Sequence, residues 1–223
     1  MIRLAVAVLV VVGLCGCRQQ RTDDENWLDV LATYQQRGQQ GDCKAYLEGA
    51  EYCLTVPDVE RGTIMAGAMA YLAECCGAIG SWKEWAMGLP EDSPAHILMT
   101  AMEDLSLERY DDAMKIGELL AQMGFHKDLA QLAISVDKDK STALALSQQM
   151  MQDGSLIGRL LYCVVSDDVH EIVAIAEEYP VILEMMQKNG LDINVEDTTV
   201  IDIHVADTAY QEMEEEGNII QIE

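Results

Sequence analysis

The sequence predicts an all-α protein, on three observations. The residues available to fill a core are unbranched or small: hydrophobic residues make up 50 % of the chain, but aromatics only 5 %, with 13 Met and one Phe. Side chains of that kind lose little rotamer freedom in a helix. Apolar residues recur at three- and four-residue spacing through most of the chain, the period of an amphipathic helix. Finally, paired helical segments begin near residues 94, 126 and 155, an offset of about 30 residues that stacked helical hairpins share. Two architectures fit: an irregular α-hairpin array or a closed helical bundle.

The elements follow in order from capping and stop signals. Asp24-Glu25 open a first helix that carries Trp27, Val30, Leu31 and Tyr34 and ends near Gly38. Asp42 caps a second, running through Leu54. Pro57-Asp58 start a long third helix through Ala78, with Ile64, Ala68, Tyr71, Leu72 and Cys75 on one stripe. A short turn around Trp82 and Trp85 is stopped by Pro90. Pro94 occupies a first-turn position, where its missing N–H costs nothing, and starts a helix through Leu105. The next runs from Arg109 to Met123 and stops at Gly124; its apolar stripe is Tyr110, Ala113, Met114, Gly117, Leu120 and Ala121. Further helices are expected over 127–136, 141–152 (stopped by Gly154), 156–165, 169–179 and 180–188 (stopped by Gly190). Ala113 and Ala143 hold matching places in successive hairpins, and Ile172 a third. Beyond residue 197 the character changes. Thr198–Val205 alternates and is β-branched, so it reads as a strand, with Asn218–Glu223 able to pair with it as a small terminal hairpin around a short acidic helix.

Glu108–Ala113 (ERYDDA) resembles the junction of tetratricopeptide repeats, where an aromatic precedes a small residue by three, and Ala101 falls where that family has its small residue in the first helix. The leading Trp, the first Gly-Tyr pair and the terminal Pro of that family are absent. The resemblance covers one degenerate repeat and implies a solenoid-like stacking of hairpins.

The N-terminus carries the most specific signal. Arg3 is followed by an uncharged apolar run from Leu4 to Leu14, then two cysteines around a glycine, then a polar stretch. Those 11 residues fall short of the roughly 20 needed to cross a hydrocarbon layer of about 30 Å, and they fit the apolar region of a signal peptide. Leu14-Cys15-Gly16-Cys17 resembles the lipobox of bacterial lipoproteins, with Cys15 where Ser or Ala is more usual. The resemblance implies acylation at Cys17, cleavage before it, and a site in the cell envelope. Arg18, in place of the Asp that retains enteric lipoproteins at the inner membrane, points to an outer membrane where one exists. The expected organisation is a signal peptide over 1–16, the lipidated Cys and a polar tether over 17–26, a helical domain over 27–196 and a C-terminal segment over 197–223.

Cysteine placement fits export. With Cys15 removed and Cys17 acylated, five cysteines remain, and four of them (Cys43, Cys53, Cys75 and Cys76) lie close together. Disulfides persist outside the cytosol. One bridge from Cys43 or Cys53 to Cys75 or Cys76 would pin neighbouring helices, while adjacent Cys75 and Cys76 rarely bond to each other. An odd count leaves at least one thiol over.

Charge and motifs bound the function. Lys and Arg total 14 against 39 Asp and Glu, a formal charge of −25. Such a surface repels nucleic acid and anionic headgroups and suits a cationic partner. None of the four histidines (His96, His126, His170, His204) lies at metal-ligand spacing from another His or Cys. No phosphate-binding loop or nucleophile elbow is present. The paired carboxylates Asp111-Asp112, Asp167-Asp168 and Glu177-Glu178 read as helix-start or solvated groups, and Asp167-Asp168 complement a helix N-terminus. Methionines pair at helical spacing (Met65 and Met69; Met99 and Met102) or adjacently (Met150-Met151; Met185-Met186). They suit a core, or less simply a Cu(I) site. No catalytic, cofactor or metal residue is assigned. The expected function is a membrane-tethered interaction module for a protein or peptide, its groove lined by Tyr71, Trp82, Trp85, Tyr110 and Met114. The alternative is an exported enzyme or soft-metal binder whose site is assembled from distant residues.

Overall fold

A computed structural model describes residues 26–166 and 168–189. Cys17, the lipobox, the start of the tether and the expected strands at 198–205 and 218–223 fall outside these residues. Among the described residues there are eleven helices and no strand: α1 (Asn26–Gln39), α2 (Cys43–Cys53), α3 (Val59–Cys75), α4 (Trp82–Met87), α5 (Pro94–Ser106), α6 (Tyr110–Gln122), α7 (Leu129–Lys138), α8 (Lys140–Gln152), α9 (Leu156–Ser166), α10 (Val169–Glu178) and α11 (Pro180–Lys188). The all-α expectation holds.

Glycine stops end the helices where the sequence placed them. α6 and α8 close on Gly124 and Gly154, at φ 113° and 84°. In each, the residue after the glycine donates back across the last turn, Phe125 N–H to Leu120 O at 3.1 Å and Ser155 N–H to Met150 O at 2.9 Å. This hydrogen-bonded ending needs a left-handed residue, which glycine adopts without a Cβ clash. α5 ends the same way on Glu108, at φ 58°, with Arg109 N–H on Asp104 O at 2.8 Å. Asp42 was expected to cap α2 with its side chain; no such bond forms, and its carboxylate instead accepts from Arg37 Nε at 3.1 Å.

α3 organises the packing. Nearly every position from Glu60 to Ala73 is buried, so the single apolar stripe expected for this helix is in fact apolar all round. A helix of that kind belongs in an interior. Its small residues Gly62, Ala66, Ala68, Ala70 and Ala73 let α2, α4, α5, α9 and α11 all pack against it. From α5 to α9, successive helices pack as neighbours, as in a hairpin array. The run does not stay open: α9 and α11 return to α3, and α11 also meets α1. An open solenoid has contacts only between neighbouring repeats; here the array closes round a central helix, because α3 offers apolar surface on every side. Ala101, Ala113 and Ala143 are buried, while Ile172 is half-buried. Gly117 and Gly158 mark close helix approaches; a Cβ on Gly158 would lie 2.2 Å from Met150 Cβ.

Candidate functional site

Among the described residues, an open polar cleft of about 400 Å³ lies where three turns converge: the first turn of α3, the α6–α7 turn and the α8–α9 turn. Asp58, Glu60 and Arg61 line it from α3, Gly124 to Lys127 from the second element, and Asp153 to Ser155 from the third. The two stop glycines bring the turns side by side. They sit one repeat period apart, so equivalent corners of successive hairpins fall on one face.

Glu60 holds the corner together. It is 6 % exposed, and one carboxylate oxygen accepts from Ser155 Oγ–H at 2.9 Å and Ile157 N–H at 3.2 Å. The other accepts from His126 N–H at 3.1 Å. Ile157 lies in the first turn of α9, where backbone N–H groups lack helical acceptors and a negative charge is favoured. A buried carboxylate with this set of donors is satisfied without a cation.

His126 bridges the same two turns. Its Nδ1 accepts from Asp128 N–H at 3.2 Å, which places the ring proton on Nε2, donating to Asp153 Oδ2 at 3.2 Å. Asp153 is held below the ordinary carboxylate range, first by Gln149 and then by His126. Ser155 lies in the same cleft, but its hydroxyl is committed to Glu60 and both ring nitrogens of His126 are occupied. A nucleophile needs a base with a free nitrogen facing it, so this arrangement is no hydrolytic triad.

Two further buried charges finish the closure. Arg159 is 4 % exposed; its Nε donates to Glu171, and Nη1 approaches Glu178 at 3.5 Å. Burial pushes the Glu178 carboxyl up, against the pull of Arg159. Glu184 on α11 accepts from Tyr46 Oη–H, from Gln35 Nε2 at 2.8 Å and from Gln39 Nε2 at 2.9 Å, joining α11 to α1 and α2. Burial, then the contact with Glu184, raises the Tyr46 hydroxyl.

The residues expected to line one groove are spread over α3, α4 and α6, and all are buried or half-buried. Trp82 is buried in the core, a correction to its place on an open face; its backbone N–H binds Glu74 at 2.7 Å. Trp85 packs half-buried against the core. Tyr71 is half-buried and donates to Asn189 Oδ1 at 2.8 Å. Tyr110 has Lys138 Nζ over its ring at 3.2 Å, and Met114 is half-buried on the same helix. The hairpin run rests on α3 through α5 and α9. Met65, Met69, Met150, Met185 and Met186 fill the core. Among the described residues, no group of three or more His, Cys, Asp or Glu is placed to hold a metal. An apolar void of about 40 Å³ between α5, α6, α7 and α9, lined by residues such as Leu98, Leu105 and Leu161, is too small for a ligand of more than a few atoms.

Cys43 and Cys76 form a disulfide, with Cα atoms 5.6 Å apart and a separation of 33 positions in sequence. It joins the start of α2 to the end of α3 and so pins that antiparallel pair. Cys53 is fully buried, and burial pushes its thiol up to about 12. Cys75, placed by its spacing on the apolar stripe of α3, is instead exposed. The chain matches no known protein family, no curated protein and no solved structure.

Proposed function

We propose that this chain is an exported lipoprotein, acylated at Cys17, whose closed helical domain works at a membrane surface as a binding module for a cationic segment of another protein. The tether rests on the apolar run of residues 4–14 ending at a lipobox-like Leu-Cys-Gly-Cys. No helix among the described residues is long and apolar enough to cross a membrane.

The observation that carries binding rather than catalysis is the fate of the buried charges. Glu60, Asp104, Arg159 and Glu184 are each less than a tenth exposed. Each is used in hydrogen bonds or ion pairs that fasten one part of the chain to another. A catalytic acid, base or nucleophile needs an uncommitted atom facing substrate. Most of the other acidic residues among the described ones are exposed, and with 39 acidic against 14 basic residues in the chain they favour a basic partner. The cleft at the start of α3 supplies relief, with Asp58 and Asp153 on its rim.

Two measurements test this reading. Mass spectrometry of the chain from its own host should find Cys17 as an acylated first residue; an intact Met1 or an unacylated Cys17 removes the tether. Cross-linking in intact cells should join the domain to one basic protein whose binding weakens in 1 M salt and in the Asp58→Asn/Asp153→Asn variant. A partner held equally in high salt and by that variant removes the cleft and its charge from the account.

A further inference from the structure

We infer that Cys43, Cys75 and Cys76 form a surface thiol–disulfide exchange site, in which the bridge to Cys43 is shared between the two adjacent cysteines at the end of α3. Three cysteines lie at this corner. Cys43 and Cys76 are bonded, and Cys75, next in the chain to Cys76, is an exposed thiol. Cys76 is itself exposed and Cys43 half-buried, so the bond to be attacked is open to solvent as well. The buried Cys53 thiol, pushed up to about 12, is removed from such chemistry, because the thiolate is the attacking species.

The step needs no outside oxidant or reductant. The Cys75 thiolate attacks Sγ of Cys43, a Cys43–Cys75 bond forms, and Cys76 leaves as a thiolate that takes up a proton from water. One disulfide and one thiol are present before and after.

The geometry makes the exchange a local event. Cys75 is the last residue of α3 and Cys76 its C-cap. Successive helical residues point about 100° apart, so Cys75 reaches Cys43 only when the final turn loosens. That turn is held by Cys76 N–H on Leu72 O at 3.0 Å and Gly77 N–H on Glu74 O at 2.9 Å. Helix ends open at low cost relative to the whole fold, and Gly77 and Gly80 follow directly. With the bridge at Cys76, the free Cys75 thiol lies against Tyr71, whose hydroxyl donates to Asn189.

The test uses the chain with its bridge formed in a glutathione redox buffer, so the readout does not depend on where the protein resides. After incubation at about pH 8, where thiolate is populated, the sample is quenched with acid and alkylated. Fragmentation between residues 75 and 76 then reports which one carries the label. The expected result is label on Cys75 in one population and on Cys76 in another, with Cys43 bonded in both. Label confined to Cys75 after hours at this pH overturns the inference. In a second arm, Cys76→Ser is expected to form the Cys43–Cys75 bridge; native circular dichroism with both of those cysteines alkylated overturns it. The Cys75→Ser chain, with its bridge fixed, should show no label at Cys76. If Cys76→Ser fails to fold, the labelling of the unmodified chain decides alone.

Discussion

Replacing Glu60 by Gln removes a charge and almost no volume, and it isolates the corner where α3, the α6–α7 turn and α9 meet. The carboxylate takes three donors, from Ser155, Ile157 and His126, at 2.9, 3.2 and 3.1 Å. A Gln side chain keeps one oxygen, which can serve Ser155 and Ile157 together. Its amide NH2 then faces the His126 N–H, donor against donor. One bond to a charged acceptor is lost, about 1.5–3 kcal/mol, and the two that remain lose their charge assistance. Flipping the amide is no better: it keeps the His126 bond and lets the NH2 donate to Ser155 Oγ, but it leaves Ile157 N–H facing a donor. The expected loss is about 2–3 kcal/mol, and more for Glu60→Ala, which leaves all three donors without an acceptor in a buried site. In a domain of this length that lowers Tm by roughly 5–10 °C. Urea titration followed by tryptophan fluorescence should show a lower midpoint at unchanged slope, because the surface exposed on unfolding is the same. Ser155→Ala alone should cost about 1 kcal/mol, and less in the Glu60→Gln background, because the two groups are directly bonded. A Glu60→Gln midpoint within the equivalent of about 0.5 kcal/mol of the parent would refute the idea that this carboxylate fastens the three elements.

Three other outcomes are expected. Glu108→Gly should stabilise the chain by about 1 kcal/mol, since the left-handed φ of 58° at this helix ending strains a residue with a Cβ more than glycine; an unchanged or lower melting temperature counts against it. Gly158→Ala should destabilise by about 1–3 kcal/mol, because the new methyl lies 2.2 Å from Met150 Cβ and 3.1 Å from the Met150 backbone carbon. Cysteine bridging is untouched by that change, so calorimetry of the oxidised chain reads it directly. At acid pH, Asp139 matters: hydrogen bonds from Ser141 first, then Thr142, hold its carboxyl down at about 2. Its folded value lies below its unfolded value of about 3.9, so its contribution is present above about pH 4 and is lost as pH falls towards 2. Urea midpoints measured from pH 5 to pH 2 should fall less steeply for Asp139→Asn than for the parent chain, and parallel curves would remove this cap from the acid response.

The sequence by itself determined the helical class, most of the helix limits and the stops at Gly124 and Gly154. These depend on interactions within a few residues: apolar period, capping groups and the freedom of glycine at positive φ. Helix pairs offset by about 30 residues were legible for the same reason, and so was the acidic surface. The disulfide was narrowed to four pairings, because spacing names neighbouring helices but cannot say which of two adjacent cysteines faces the partner. Tertiary structure alone decided that Cys76 takes that place and Cys75 faces water. It also decided that the array closes: Glu60 meets Ser155 across 95 residues, and Tyr46 meets Glu184 across 138. An isolated acidic residue in a helix reads as solvated surface, and only the approach of a distant helix start turns it into a buried acceptor. Trp82, read as a groove residue, was drawn into the core by its own apolar area. Local rules shape each helix, but which of its faces meets another helix is set by everything that packs against it at once.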